Sequence, residues 1–235
     1  MKRILLLILC AALLLVSMAA CGTAETEQKD DGKYVIGICQ FLPHPALDKA
    51  TEGFKQAVID GLGADKVTFD EQNAAGESSN CSTIVNGLVA SNVDLIMANA
   101  TPAVAAAYNA TEIIPILGTS VTEYGVALGI ENFSGTVGSN VSGTSDLAPL
   151  DEQAAMLNEL FPDAKNVGLV YCSAEANSQY QVDEVQKNLE AKGVTCKQFP
   201  FTDTNDMSAV VRDAADWSDA IYVPTDNTVA DNAGI

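Results

Sequence analysis

From residue 34 onward, short apolar runs alternate with stretches in which apolar residues recur every three or four positions. The runs 34–39 (YVIGIC), 66–69 (KVTF), 94–98 (DLIMA) and 113–117 (IIPIL) predict four strands. Between them, Leu47, Ala50, Phe54, Ala57 and Val58 share one helical face, and Ile84, Val85, Leu88 and Val89 share another. A third helix is expected to open at Thr101-Pro102, with Thr101 as N-cap and Pro102 in the first turn. Such strand–helix alternation implies a parallel, doubly wound sheet.

Over 129–143 the rhythm changes: Gly, Ser, Thr and Asn dominate and no helical period survives. That stretch predicts the crossing between two lobes. The alternation then resumes, with a helix over 151–161, a strand over 166–171 and a helix marked by Val182, Val185 and Leu189. A strand over 194–199, a helix over 206–215 and a strand over 220–223 follow, and Asp226 begins another helix. The expected organisation is an N-terminal α/β lobe over 34–130, a hinge or crossover over 131–148 and a partial C-terminal α/β lobe over 149–235. The second lobe has three expected strands against ~5 in an ordinary sheet. The expectation is therefore that the natural protein continues past Ile235, which falls inside the last helix.

Before residue 34 the pattern is different. Lys2 and Arg3 precede an apolar run over 4–16, and small residues lead to Cys21. That is the layout of a secretory signal, expected over 1–20. The run is shorter than the ~20 residues a permanent span needs. Met18-Ala19-Ala20-Cys21 resembles the lipobox of bacterial lipoproteins, which implies cleavage before Cys21 and diacylglycerol on its sulfur. The segment 22–32 (GTAETEQKDDG) lacks apolar periodicity, so 21–33 reads as a flexible tether. The expected location is the extracytoplasmic face of the cell membrane, held by lipid.

Charge narrows the partners. With 12 Lys and Arg against 31 Asp and Glu, the net charge is −19. Nucleic acid is excluded, because phosphate contacts need cations. Cys39, Cys81, Cys172 and Cys196 show no CxxC spacing, and there is one histidine, so no zinc site is expected.

In open α/β sheets, ligands bind beyond the carboxyl ends of the strands. Those ends read Gln40-Phe41, 99–102 (NATP), 118–122 (GTSVT), then Ser173, Glu175, Asn177 and Ser178, and finally 224–227 (PTDN). Nearly every one of these ends is polar and uncharged, or acidic, and none carries Lys or Arg. Helix N-termini there would favour a ligand carboxylate, Asp226 or Glu175 would accept an ammonium, and Phe41 offers an aromatic face. An amino acid fits this set. Taken singly, Thr101, Ser178 and Asp226 read first as N-caps and Phe41 as a core residue, and His44 reads as a loop residue that fixes geometry. A Cys39–His44 nucleophile pair has no third, orienting group in a recognisable motif.

Six ordered segments carry a family resemblance: 44–48 (HPALD), 100–103 (ATPA), Val121-Thr122, 141–146 (VSGTSD) with Pro149, 175–178 (EANS) and 224–227 (PTDN). Together they resemble the periplasmic-binding family exemplified by the tryptophan-binding receptor TrpX. That family usually continues Val-Thr with Asp-Pro, where this chain has Glu123-Tyr124-Gly125. The resemblance implies a type I periplasmic-binding fold of two Rossmann-like lobes with a ligand closed between them. It implies the solute-binding subunit of an ABC importer, working with permease and ATPase subunits on an aromatic amino acid or similar small solute, with no cofactor and no catalytic residue. Carried onto this chain, the first-lobe contacts are Gln40, Phe41, Thr101, Pro102, Ser120 and Val121. Ser145 and Asp146 lie by the hinge and cleft, and the second-lobe contacts are Glu175, Asn177, Ser178 and Asp226. Alternatives left open by the residues are a nucleoside or sugar receptor on the same fold, a two-lobed enzyme such as an amino-acid racemase using Cys39 or Cys172, and a sensory receptor.

Overall fold

The structure is a computed structural model that describes residues 32–234. The expected signal segment, Cys21 and nearly all of the tether lie outside the described residues.

In the first lobe, β1 (Tyr34–Gln40) pairs in parallel with β2 (Val67–Asn73) on one side and β3 (Leu95–Asn99) on the other. With β4 (Ile116–Val121) and β5 (Val141–Ser145) they form a five-stranded sheet in the order β2-β1-β3-β4-β5. The helices are α1 (Pro45–Leu62), α2 (Ser78–Ala90), α3 (Thr101–Ala110) and the short α4 (Tyr124–Leu128). The alternation of side chains across a strand explains why β1 reads as a continuous apolar run. Ile36 and Ile38 join Val67 and Met97 on the face packed by Phe54, Val58 and Ile59 of α1. Cys39 and Phe41 join Ile96, Val85, Leu88 and Val104 on the opposite face, under α2 and α3. Each aliphatic side chain removed from water on either face contributes about 2 kcal/mol.

The second lobe repeats the plan with α5 (Leu150–Leu160), β6 (Asn166–Cys172), α6 (Ala176–Glu190), β7 (Thr195–Phe201), α7 (Thr204–Trp217), β8 (Ala220–Tyr222) and α8 (Asn227–Asp231). Its parallel sheet runs β7-β6-β8. Val167, Leu169 and Tyr171 face α5 and α6, while Val170 and Cys172 pack with Phe199, Phe201 and Met207 on the other face. In both lobes the first strand lies between the next two, so the winding reverses at β1/β3 and again at β6/β8.

Three elements differ from the sequence expectation. The segment 131–148 holds β5, which is the edge strand of the first sheet. Four of its five residues are exposed, so it carries no apolar alternation. Its place is set by parallel pairing with β4, Ile116 opposite Val141, and by a close backbone approach at Gly143. A Cβ on Gly143 would collide with the Gly118 carbonyl and the Tyr124 hydroxyl. Second, β4 starts at Ile116 rather than near residue 113. The Thr111 hydroxyl accepts the amides of Ile113 (3.2 Å) and Ile114 (3.1 Å), forming a turn that leaves Ile113 88% exposed. Third, α8 ends at Asp231 and turn residues follow it.

Candidate functional site

Among the described residues three cavities lie between the lobes; one, about 410 Å³, is an open cleft between 123–133 and Tyr180, and the other two are flanked by strand ends of both lobes. The smaller, about 270 Å³, collects His44, Ala46 and Leu47 from the β1–α1 connection, Ser120 and Thr122 from the end of β4, and Asp146 just after β5. Its second-lobe wall is Asn177 on α6 and the β8–α8 segment from Val223 to Asn227, with Val229, Ala230 and Ala233. The larger, about 470 Å³, lies between Phe41, the β2–α2 turn, Glu175, the β7–α7 turn and α8.

Local sequence explains how each wall is set. His44 caps α1, its Nδ1 accepting the Ala46 amide at 3.2 Å, and Pro45 opens the helix. The loop-fixing role expected of His44 therefore holds, and the same geometry brings its ring to the cavity. At the end of β4 the register shifts between Gly118 and Val121, and Ser120 takes φ +55. A left-handed serine is uncommon and is held only where its surroundings over-determine it. The Asp146 amide donates to the Val121 carbonyl at 3.0 Å, carrying the β5 end beside that bulge. Glu123 caps α4, its carboxylate accepting the Val126 amide at 2.6 Å. The departure from Asp-Pro at this point thus keeps an acidic cap.

The second-lobe wall is a polar network. Asp226 is the N-cap of α8, as its type suggests: Oδ1 accepts the Val229 amide at 2.8 Å and Oδ2 accepts the Cys172 amide at 2.7 Å. Glu175, 2% exposed, accepts from the Asn227 and Thr228 amides at 3.1 and 2.8 Å. It also accepts from the Asn227 side-chain Nδ2 at 2.6 Å and the Thr228 hydroxyl at 2.7 Å. Asn177 Nδ2 donates to Glu175 at 3.3 Å and to the Thr225 carbonyl at 3.1 Å. Asn177 is 3% exposed and its Oδ1 has no hydrogen-bond partner. The reverse amide orientation would set that oxygen against a carboxylate and a carbonyl, so the acceptor belongs on the unpaired side.

Several expected contacts lie elsewhere. Glu175 lines the larger cavity, and its four short bonds to the start of α8 occupy both carboxylate oxygens, so it is a support of the wall rather than a free acceptor. Gln40 is buried in a network that bonds the Leu42 carbonyl, Asp48 and Thr51, and lines neither cavity. Thr101 and Pro102 are the first two residues of α3; the cap position is Ala100, with φ +84, and neither Thr101 nor Pro102 lines a cavity. Ser178 lies in the first turn of α6, fully buried, while Glu175 takes the cap position. Val121 is core. Phe41 is core as well and lines only the larger cavity. Ser145 donates to the Thr122 carbonyl at 2.6 Å and lines neither cavity. The smaller cavity therefore brings together Ser120, Asp146, Asn177 and Asp226. It adds His44, Thr122, Thr225 and Asn227, the last three visible beforehand as strand-end residues.

Electrostatics mark the same place. Burial and the neighbouring Glu175 push the Asp226 carboxyl up to about 6. Partial loss of water in the cleft raises Asp146 at the cavity rim, offset in part by its own backbone and by the Thr122 hydroxyl. The hydrogen bond to Cys81, with burial, pushes the Cys39 thiol up, and burial raises Cys172. Such thiols are poor nucleophiles. No group of three or more metal-ligating side chains occurs among the described residues.

Residues 35–235 match the family model for ABC transporter substrate binding proteins. The chain belongs to that family. Across the whole chain it is 33% identical to the tyrosine-binding protein of Clostridioides difficile, of which it spans 70%. Among solved structures, the ABC domain in complex with L-Trp from Streptococcus pneumonia is 33% identical, with a TM-score of 0.80 over 86% of this chain and 68% of that one. The ligand-free, open structure of a substrate binding protein with adhesive properties from Clostridium difficile is 34% identical, with a TM-score of 0.58 over 85% of this chain and 68% of that one. The fold of this substrate-binding protein is the type I periplasmic-binding fold expected from its motifs.

Proposed function

We propose that the protein is the lipid-anchored solute-binding component of an ABC importer, holding one aromatic amino acid in the smaller interlobe cavity and presenting it to the permease. The observation that carries this reading is the cavity itself. It lies at the carboxyl ends of the strands, where the winding reverses, and both lobes contribute polar groups and apolar walls to it. Asp146 supplies an acceptor on the first-lobe wall, and Asn177, whose Oδ1 has no partner within the protein, stands on the other, an arrangement that suits an ammonium group. Leu47, Val223, Pro224 and Val229 offer apolar surface for a side chain.

The family supports the transport role, and the tyrosine and tryptophan named for two relatives support the ligand class. At nearly equal identity, the higher TM-score goes to the tryptophan complex and the lower to the open, ligand-free structure. That difference supports a mechanism in which the lobes close around the solute and binding shifts the population toward the closed form. Raised thiols at Cys39 and Cys172 support a receptor without catalysis. The charge, apolar run and Cys21 order supports lipid anchoring on the extracytoplasmic side, beside permease and ATPase subunits.

A thermal-shift panel of amino acids, nucleosides and sugars tests this. Ligand at 100 times its Kd adds about 2.7 kcal/mol of stability, and that rise is expected with tyrosine or tryptophan. A shift with nucleosides or sugars alone would move the reading to another solute class.

A further inference from the structure

We propose that Cys39 and Cys81 join in a stabilising disulfide when the chain folds under oxidising conditions, a cross-link between the end of β1 and the start of α2. The cross-link is independent of the ligand reading above. Both side chains are fully buried, in the same core cluster. Gly37 and Cys39 are two apart on β1 and share a face. Cys81, Val85 and Leu88 recur at helical spacing on the face of α2 that packs on that strand. Leu88 sits over Gly37, where an added Cβ would lie 2.8 Å from its methyl groups. The helix thus lies close on the strand, and its first inward residue, Cys81, meets Cys39. The two sulfurs are in contact: the Cys39 thiol donates to Cys81, which holds the Cys81 thiol below its ordinary value.

The second lobe offers no such pair. Cys196 lies opposite Val167, whereas Cys172 lies opposite Phe201 at the other end of β6. About 16 Å of strand separates them, against the ~7 Å between Cα atoms that a disulfide tolerates.

Because both sulfurs are sealed in the finished core, the exchange belongs to folding, before α2 closes over β1. One cysteine thiolate attacks a small-molecule disulfide such as glutathione disulfide and releases one glutathione thiolate. The second cysteine thiolate attacks the cysteine sulfur of that mixed disulfide and releases the other. The two cysteine protons end on the two glutathione thiols; the cysteines are oxidised and glutathione disulfide is reduced. The bond closes a loop from residue 39 to residue 81. It also pins Phe41 against Ser78 and Ser79, three residues that line the larger cavity.

The test is refolding of the full chain in reduced and oxidised glutathione, then alkylation in denaturant and peptide mapping by mass spectrometry. Cys39 and Cys81 are expected linked to each other, with Cys172 and Cys196 alkylated. Urea unfolding with and without dithiothreitol supplies the second readout. The cross-linked protein is expected to have an unfolding constant at least about tenfold lower, and dithiothreitol is expected to change nothing in Cys81→Ala. Alkylation of both Cys39 and Cys81 after refolding, linkage of either to another cysteine, or wild-type unfolding indifferent to dithiothreitol would overturn the inference and leave the ligand reading untouched.

Discussion

The Asp226 carboxylate accepts the amide of Cys172 at 2.7 Å across 54 residues of sequence. One side chain thereby ties the end of β6 to the start of α8 and shapes the second-lobe wall of the cavity. Burial beside Glu175 raises its pKa from 3.8 to about 6. A carboxyl raised on folding stabilises the protein fully below its unfolded pKa and loses that contribution as pH rises through the folded value. Relative to Asp226→Asn, the wild type should therefore lose stability between about pH 4 and about pH 7, at ~1.4 kcal/mol per unit of displacement. Urea unfolding of both proteins across that range checks it; a constant difference would contradict it.

Glu175 organises the same wall without touching the smaller cavity. Glu175→Ala strands the Asn227 and Thr228 donors that its carboxylate now accepts. Loss of one partner from a buried charged network costs about 3 kcal/mol. Chemical denaturation should show that loss, and Glu175→Gln, which keeps an acceptor, should recover part of it.

The Gly143–Gly118 approach is what lets β5 pair where no apolar pattern calls for a strand. Gly143→Ala places a methyl against the Gly118 carbonyl and the Tyr124 hydroxyl. Destabilisation of about 2 kcal/mol is expected. Tyr124→Phe in that background should restore less than half of it, because the backbone carbonyl remains in the way. Full rescue would show that the backbone contact is unimportant.

Cys21 carries the anchoring proposal. Cys21→Ser should move the expressed protein from the membrane fraction to the soluble extracytoplasmic fraction, and should abolish incorporation of labelled fatty acid. Unchanged fractionation would contradict lipidation at that residue.

Most of the strand and helix order was legible because the central strands β1, β3 and β6 are buried on two faces and the main helices on one, which leaves clear periods. β5 was not, since its pairing is held by backbone and by glycine rather than by apolar side chains. The site divides the same way. Asp226, Asn177 and Ser120 were readable as polar residues near strand ends, Asp146 came only through the family resemblance, and all four line one cavity. Glu175 and Gln40 carried the same strand-end signal and Ser145 the same resemblance, yet all three bond within their own lobes. Composition at a strand end cannot separate a residue that faces a ligand from one that holds the loop. Only the partner of each oxygen and nitrogen does. His44 shows the converse: a helix cap by its hydrogen bond and a cavity residue by its position.

The central claim is that an aromatic amino acid is held between the lobes against Asp146 and Asn177. Calorimetric titration with tyrosine and with tryptophan, on the wild type and on the Asp146→Asn, Asn177→Leu double variant, tests it most directly. The account predicts one site per chain in the wild type and affinity lowered at least about a hundredfold in a double variant that still unfolds cooperatively. Equal affinity in the two proteins, or no heat with either amino acid in the wild type, would contradict it.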